Sequence, residues 1–549
     1  MTTSKHYPMA EAVRAAYRSG EEDEALEPLV RVGSDGRPVG RIGDGDYVIF
    51  YDIRGEREVE LTSAFVAQEF SHFARPPIRV QFATMIEYAR NLPVRVAFPP
   101  VREIRHTLSE VVSTHGLRQV KIAESEKAIH VQYFLNGKRE EPFLGETRVV
   151  VPSPEVQNYA EAPEMSAGQV AQAAVRALDD PGAALIVVNF CNVDVVGHIE
   201  NREAILRAVG EVDRRIGEVV AAAQARGVTA VVTADHGTVE RWLYPEGTVD
   251  TGHTDSPVPF TVVDPALRSV VLREGGALTD VAPTLLHLLG LPQPEEMTGQ
   301  SLLPGGVPRE RRRVLLVIAD GWGIRDEAWG NLIQEAETPA MERLQRKWPT
   351  TRLQAAGEAV GMPAGTVGNS EAGHLHIGAG RRVLSDRVRI EQAIADGSFF
   401  ANDAFRWAMQ GAKRDRTRLH LLGIVSFYSS HGSVEHLKAL LEMARREGAC
   451  PEPVEGACPE PVEGAPEVYV HAMLGRRGER PESGARYIED VERETERLGV
   501  GVVASVIGRF WSLDREENWE RIEKTYRWLV EGKGQPVPSL YVPGYSNLL

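Results

Sequence analysis

Cysteine is nearly absent from this 549-residue chain, with only Cys191, Cys450 and Cys458. Three cysteines make no disulfide framework, and none stands in a Cys-x-x-Cys zinc pattern. Apolar length is missing as well, since no run approaches the roughly 18 residues of a membrane helix. The opening stretch MTTSKHYPMAEAVRAAYRSGEEDEA holds no apolar core of signal-peptide length. The chain therefore reads as cytoplasmic, with no membrane partner. Basic charge is in deficit, with 62 Lys and Arg against 78 Asp and Glu and a formal charge of −16. That balance disfavours nucleic acid as a partner, yet leaves room for a small anionic substrate in a local basic pocket.

What is present is ordinary globular composition, 42% hydrophobic and 26% charged, over a length too great for one compact core. Two domains, or three, are expected. Apolar β-rich runs occur at DYVIFYDI (46–53), AALIVVNF (183–190), TAVVTAD (229–235), RRVLLVIAD (312–320) and RLHLLGIVSF (418–427). Helical patterns lie between them, as at 165–180 and 202–227. Continuous apolar strands alternating with helices predict an α/β fold with a mainly parallel sheet covered on both faces. The segment 290–313 is rich in Pro, Gly and charge and reads as a surface connection. ACPEPVEG occurs twice in tandem, at 449–456 and 457–464, and reads as a solvated low-complexity insertion.

Three strands lead into aspartates. VLLVIA ends in Asp320, VVT leads to Asp235 and His236, and LIVVNF leads to Asp194 and His198. Ligands in open α/β sheets bind beyond the carboxyl ends of strands. A lone aspartate there reads as a helix cap, but three, two with histidines alongside, read as a cluster. Asp194 and His198 share a face if helical, and His253 adds an imidazole from a loop. Carboxylates with imidazoles suit zinc or manganese, and oxygen and nitrogen donors in this number suffice for two metal ions. The stretch GTVGNSEAGHLHIGAGR (365–381) is glycine-rich but has no Gly-Lys-Ser/Thr, so it is no P-loop. It reads as a loop that lets Ser370 reach a metal and a phosphate, where its hydroxyl can become a nucleophile. His374 and His376 read as structural.

Together, ADGWG, GNSEAGHLHIGAGR, DVVGH, TADHG and GHTDSPVPF resemble the signatures of the cofactor-independent phosphoglycerate mutases of the alkaline-phosphatase superfamily. HGLRQVKIAESEK and EMTGQSLL are similar too. The resemblance covers nearly the whole chain apart from the repeat. Its order differs, because residues 311–549 resemble the family's first half and 1–305 its second. The order implies a circular permutation joined through 303–313. The resemblance implies a phosphatase-like metal domain at 102–384 and a substrate domain split between 1–98 and 388–549.

By the same resemblance, Asp194, His198 and His253 would hold one divalent metal. Asp320, Ser370, Asp235 and His236 would hold the other. Manganese is expected, with zinc, cobalt or magnesium as alternatives, and no organic cofactor. Ser370 would carry the phosphoryl group between the 3- and 2-positions of phosphoglycerate, with His431 as a further catalytic residue. Arg54, Arg57, Lys127, Arg477, Arg509 and Arg515 would bind substrate, since guanidinium groups suit phosphate and carboxylate. A monomer is expected.

Two departures lie in the substrate half. A family Ser-Asp-Gly-Gly-Val-His-Ser stretch here reads Ser426-Phe-Tyr-Ser-Ser-His431-Gly. An Asp-Gly-Arg-Asp stretch here reads Gly475-Arg-Arg-Gly478, and its second aspartate is the family's proton carrier. Gly478 does no acid–base work, a contribution typically worth about 10²–10⁴-fold; the adjacent Glu479 is one candidate replacement. A binuclear-metal phosphohydrolase or mutase for another small phosphate ester, and a non-catalytic relic, therefore stand as alternatives.

Overall fold

The computed structural model describes residues 7–76, 78–307, 311–427, 429, 431–448, 467–475 and 483–538. The tandem repeat, Arg477, Gly478, Glu479 and residues 308–310 of the connection lie outside these. The chain divides into two compact units, residues 1–100 with 389–549, and residues 101–388.

Along the chain the strands are β1 (Leu29–Val32), β2 (Tyr47–Phe50), β3 (Gln81–Ile86), β4 (Arg95–Phe98), β5 (Arg118–Glu124), β6 (Glu146–Val151), β7 (Ala183–Phe190) and β8 (Thr229–Thr233). They continue as β9 (Val258–Val263), β10 (Gly276–Ala277), β11 (Val314–Ala319), β12 (Thr350–Gln354), β13 (Leu419–Ile424), β14 (Val468–Leu474), β15 (Val502–Gly508) and β16 (Gln535–Pro538). The unit of residues 101–388 holds an eight-stranded sheet in the order β10-β12-β9-β8-β11-β7-β5-β6. Only β9 runs against the others. At the centre, β11 pairs in parallel with both β7 and β8. All six residues of β11 are buried, as a strand covered on both faces requires. Each such side chain contributes roughly 1.5–3 kcal/mol by leaving water.

Helices Ala167–Leu178 and Arg202–Ala225 cover this sheet and pack on one another. The longer begins where Asn201 accepts a hydrogen bond from the Ala204 N–H at 3.1 Å, an N-cap of the ordinary kind. It ends at Gly227, whose φ of +66° is the left-handed turn glycine permits.

The other unit has its own eight-stranded sheet, β16-β1-β15-β14-β13-β2-β3-β4. Strands β15 through β4 in that order are parallel, and β1 enters antiparallel to β15. Its core is separate from that of the first sheet. The two-unit α/β architecture matches the sequence expectation, with one strand of the metal-bearing sheet and an edge pair of the other reversed.

Candidate active site

The central strands of the 101–388 unit deliver acids from their carboxyl ends. Asp320 follows β11 directly, and Asp235 with His236 lies just beyond β8. After β7 the chain turns into the helix Asn192–Gly197, capped at its end by His198. That helical turn sets Asp194 and His198 four residues apart on one face, with His198 Nε2 3.4 Å from Asp194 Oδ1. His253 Nε2 approaches the same oxygen at 3.1 Å and His198 Nε2 at 3.1 Å. Asp194, His198 and His253 thus offer three donor atoms to one point.

Ser370 is not in a loop. It is the first residue of a helix, Ser370–Ala379, capped by the Asn369 side chain on the Ala372 N–H at 2.8 Å. The expectation of a glycine-rich loop at Ser370 fails here because the helix begins at Ser370 and the glycines serve its packing. A Cβ on Gly373 would lie 2.7 Å from the Asp235 Cβ, and one on Gly368 2.8 Å from the His236 Cβ. Only glycine lets this helix press against the Asp235–His236 turn. As a result Ser370 Oγ sits 2.9 Å from His236 Nε2, 2.5 Å from Lys127 Nζ and 3.4 Å from Asp320 Oδ1.

Lys127 completes the cluster. Its ammonium donates to Asp194 Oδ2 at 2.7 Å and Asp320 Oδ1 at 2.8 Å. Burial works against the charge on Lys127, but Asp320, Asp194 and Asp235 outweigh it and raise the ammonium's pKa. Asp194 is held well below the usual carboxylate range: burial pushes it up, and His236 and Lys127 more than reverse that. Asp235 behaves alike, burial opposed by His236 and His374. Asp320 is raised, by burial and then by the charge of Asp235. The His236 pKa is raised because the three carboxylates outweigh its burial, and that of His198 chiefly by its hydrogen bond with Asp194.

These residues fit divalent cations. Three buried carboxylates face one ammonium, and uncompensated buried charge is costly. Asp235 Oδ2 is buried and makes no hydrogen bond. His374 Nδ1 is 3.2 Å away but donates to the Ser370 carbonyl at 2.9 Å. Lys127 Nζ contacts Asp194, Asp320 and Ser370 together. Carboxylate and imidazole donors without thiolate are the set expected for catalytic rather than structural metal.

Two contributors escaped the sequence reading. Asn189, inside β7, donates to Asp320 Oδ2 at 2.8 Å and meets His374 Nε2 at 3.0 Å. His374 joins Asp235 and Asp320 as a third convergent group, so it belongs to the cluster, whereas His376 bonds only backbone, at Ala372 and Val383. The placement of Asn189 next to the strand terminus and the four-residue step from Ser370 to His374 were the available signals.

The remaining candidates lie in the other unit. Arg54 and Arg515 both pair with Glu56, at 3.3 and 2.8 Å. Arg57 reaches the Leu513 carbonyl at 3.3 Å and Arg509 reaches Glu24 at 3.2 Å. His431 is buried and bound through Nδ1 to Glu58 at 2.6 Å. Arg477 lies outside the described residues.

Comparison with known proteins gives matches to two families. The Metalloenzyme superfamily matches residues 34–293. The family described as BPG-independent PGAM N-terminus matches 390–455 and 459–542. Among curated relatives, a 2,3-bisphosphoglycerate-independent phosphoglycerate mutase of Moorella thermoacetica is 44% identical over 299 residues, 54% of this chain and 57% of that one. One of Thermomicrobium roseum is 48% identical over 301 residues, 53% of this chain and 57% of that one. Matching is thus confined to little more than half the length of these relatives. A crystal structure of Leishmania mexicana phosphoglycerate mutase at low cobalt concentration is 31% identical, covering 49% of this chain and 53% of that one, with a TM-score of 0.37.

Proposed function

We infer from these matches that this chain belongs with the 2,3-bisphosphoglycerate-independent phosphoglycerate mutases, and on that premise that it interconverts 3-phosphoglycerate and 2-phosphoglycerate through a phosphoserine at Ser370. The observation that carries the proposal is the setting of Ser370 Oγ, within hydrogen-bond reach of His236 and Lys127 and beside three strand-end aspartates. A serine hydroxyl with only structural duties does not need three buried carboxylates around it.

Asp194, His198 and His253 would hold one divalent ion, and Asp235, His236, Asp320 and Ser370 the other. Manganese is the preferred ion, with zinc, cobalt or magnesium as alternatives. When bound, such ions make a hydroxyl easier to ionise and offset the charge of a phosphoryl group. Ser370 Oγ forms the new bond to phosphorus while the ester bond to the glycerate oxygen breaks, and that oxygen takes a proton. The lysine ammonium of Lys127 supplies fixed positive charge beside Ser370. The glycerate stays bound and accepts the phosphoryl group on its other hydroxyl. Arg54, Arg57, Arg509 and Arg515 offer the guanidinium groups for its carboxylate and phosphate, and Arg477 is a further candidate.

We assign residues 102–384 as the metal-bearing domain and residues 1–98 with 388–549 as the substrate domain. The match of an N-terminal family region to residues 390–542, downstream of the superfamily match at 34–293, supports the reading that the chain is circularly permuted. A cytoplasmic monomer completes the proposal. The second reading, a phosphohydrolase on a related ester, draws on Gly478 standing where the family's proton-carrying aspartate is expected.

Incubation with 3-phosphoglycerate and manganese, followed by separate assays of 2-phosphoglycerate and orthophosphate, tests the assignment. Isomer without phosphate release is expected. Phosphate release alone would favour the hydrolase.

A further inference from the structure

Within the unit of residues 101–388, Asn189 and His374 stand beside the reacting groups and have no part in the roles above. β7 and β11 pair in parallel with Asn189 opposite Ile318, and the Asp320 N–H continues the ladder to the Phe190 carbonyl at 3.0 Å. Side chains two apart along a strand share a face, so the Asn189 amide and the Asp320 carboxylate project to the same side. Both are fully buried, as are His374 and Asp235. Asn189 Nδ2 donates to Asp320 Oδ2 at 2.8 Å and lies 3.0 Å from His374 Nε2. Across the ring, His374 Nδ1 meets the Ser370 carbonyl at 2.9 Å and passes 3.2 Å from Asp235 Oδ2.

We propose that Asn189 is a positioning residue for phosphoryl transfer at Ser370: its amide fixes both the Asp320 carboxylate and the ring of His374, and His374 ties the start of the Ser370 helix to that amide. The proposal rests on the phosphoserine reading above.

The carboxylate beside it decides which way the amide faces. Turned over, the amide oxygen would meet Asp320 Oδ2 at 2.8 Å, acceptor against acceptor. In the orientation present, the two Nδ2 hydrogens go to Asp320 Oδ2 and His374 Nε2, while Asn189 Oδ1 is buried without a hydrogen bond. A buried oxygen left unpaired is costly, and here it accompanies the use of both donors. Nε2 is then an acceptor, so the ring proton resides on Nδ1 and is donated to the Ser370 carbonyl. The hydrogen bond at one ring nitrogen sets the proton on the other.

This arrangement bears on the reaction in three ways. Asp320 Oδ2 is held by Asn189, so Oδ1 is the oxygen that faces Lys127 Nζ at 2.8 Å and Ser370 Oγ at 3.4 Å. Ser370 is the first residue of its helix, and helix ends fray; the contact through His374 ties that end to β7. With Nε2 filled by the amide and Nδ1 by the carbonyl, His374 has no nitrogen left for a cation. It therefore stands beside Asp235 and Asp320 as a support for the carboxylates and the serine, not as a ligand. Such partners of a metal-binding carboxylate typically matter about 10–100-fold.

Asn189→Leu keeps the branched shape and removes both donors. With manganese saturating, kcat should fall by about 10–100-fold with the KM for 3-phosphoglycerate little changed, and the manganese dissociation constant should rise by a similar factor. Loss of packing alone would lower the amount of folded protein and leave both constants of the remainder unchanged. Wild-type kcat and manganese affinity in a folded Asn189→Leu protein would overturn the proposal. Nitrogen NMR of the metal-free wild-type protein, labelled at histidine, needs no change at Asn189. The His374 resonances, identified by their absence in His374→Gln, should show a proton on Nδ1 and a bare Nε2. A proton on Nε2, with the amide reversed to accept it, would overturn the proposal. Should the wild-type protein form no 2-phosphoglycerate, the mutase reading falls, and the manganese affinity and ring tautomer still decide whether Asn189 positions the site.

Discussion

Lys127→Met asks whether the strand-end carboxylates form a cation site. The substitution keeps the length of the side chain and removes its charge. Lys127 is 6% exposed at its side chain, with Asp194 at 6% and Asp320 at 0%, so solvent does little to screen the interaction. Removing one partner of such a buried pair costs about 3–5 kcal/mol. In a unit of this size each kcal/mol moves the unfolding midpoint by roughly 2 °C. The metal-free variant should therefore unfold roughly 6–10 °C below the metal-free wild type. Asp320, already raised by burial and by Asp235, is the carboxylate that takes up a proton in compensation, so the deficit should shrink as the pH falls. Manganese at about 100 times its dissociation constant adds about 2.7 kcal/mol to whichever protein binds it, so the gap persists where both bind equally and narrows only as far as the variant binds manganese more tightly than the wild type. Calorimetry of EDTA-treated and manganese-loaded samples reads all of this. A variant whose metal-free midpoint equals that of the wild type would refute the claim that the carboxylates are held at high electrostatic cost.

Further outcomes follow from other contacts. Gly373→Ala would set a Cβ 2.5 Å from the Asp235 carbonyl; overpacking of this kind costs about 1–3 kcal/mol, and titration calorimetry should show weaker manganese binding because Asp235 is displaced. His376 donates through Nδ1 to the Ala372 carbonyl and accepts through Nε2 from the Val383 N–H, and burial lowers its pKa to about 4. The unfolded chain binds that proton first, so stability is fully present above pH 6.5 and is lost as the pH falls towards 4, at up to about 1.4 kcal/mol per pH unit. Denaturant titrations from pH 7 to 4 should show this slope reduced in His376→Gln.

The parts of the fold governed by local pattern were legible in the sequence. The run VLLVIA is apolar throughout because β11 is covered on both faces, and the buried aspartate at its end marks the carboxyl edge where the acid cluster gathers. The step from Asp194 to His198 gave a shared helical face. Glycines misled at 365–381: their density suggested a loop, whereas Gly368 and Gly373 clear space for a helix against the Asp235–His236 turn. Asn189 was hidden because a polar residue within an apolar strand carries no periodic signal. Glu58 was hidden for a different reason. It reads as one more charge in RGERE, and its partner His431 lies 373 residues away, so only the fold brings them together. The tandem repeat carries no such information, being low in complexity.

The account turns on where the phosphoryl group rests between its two positions. Acid quenching of the manganese-loaded protein during turnover of 3-phosphoglycerate, followed by peptide mass analysis, addresses that directly. Phosphate on the peptide containing Ser370, absent after EDTA and absent in Ser370→Ala, is the predicted result. Formation of 2-phosphoglycerate by a Ser370→Ala protein at the wild-type rate would contradict it.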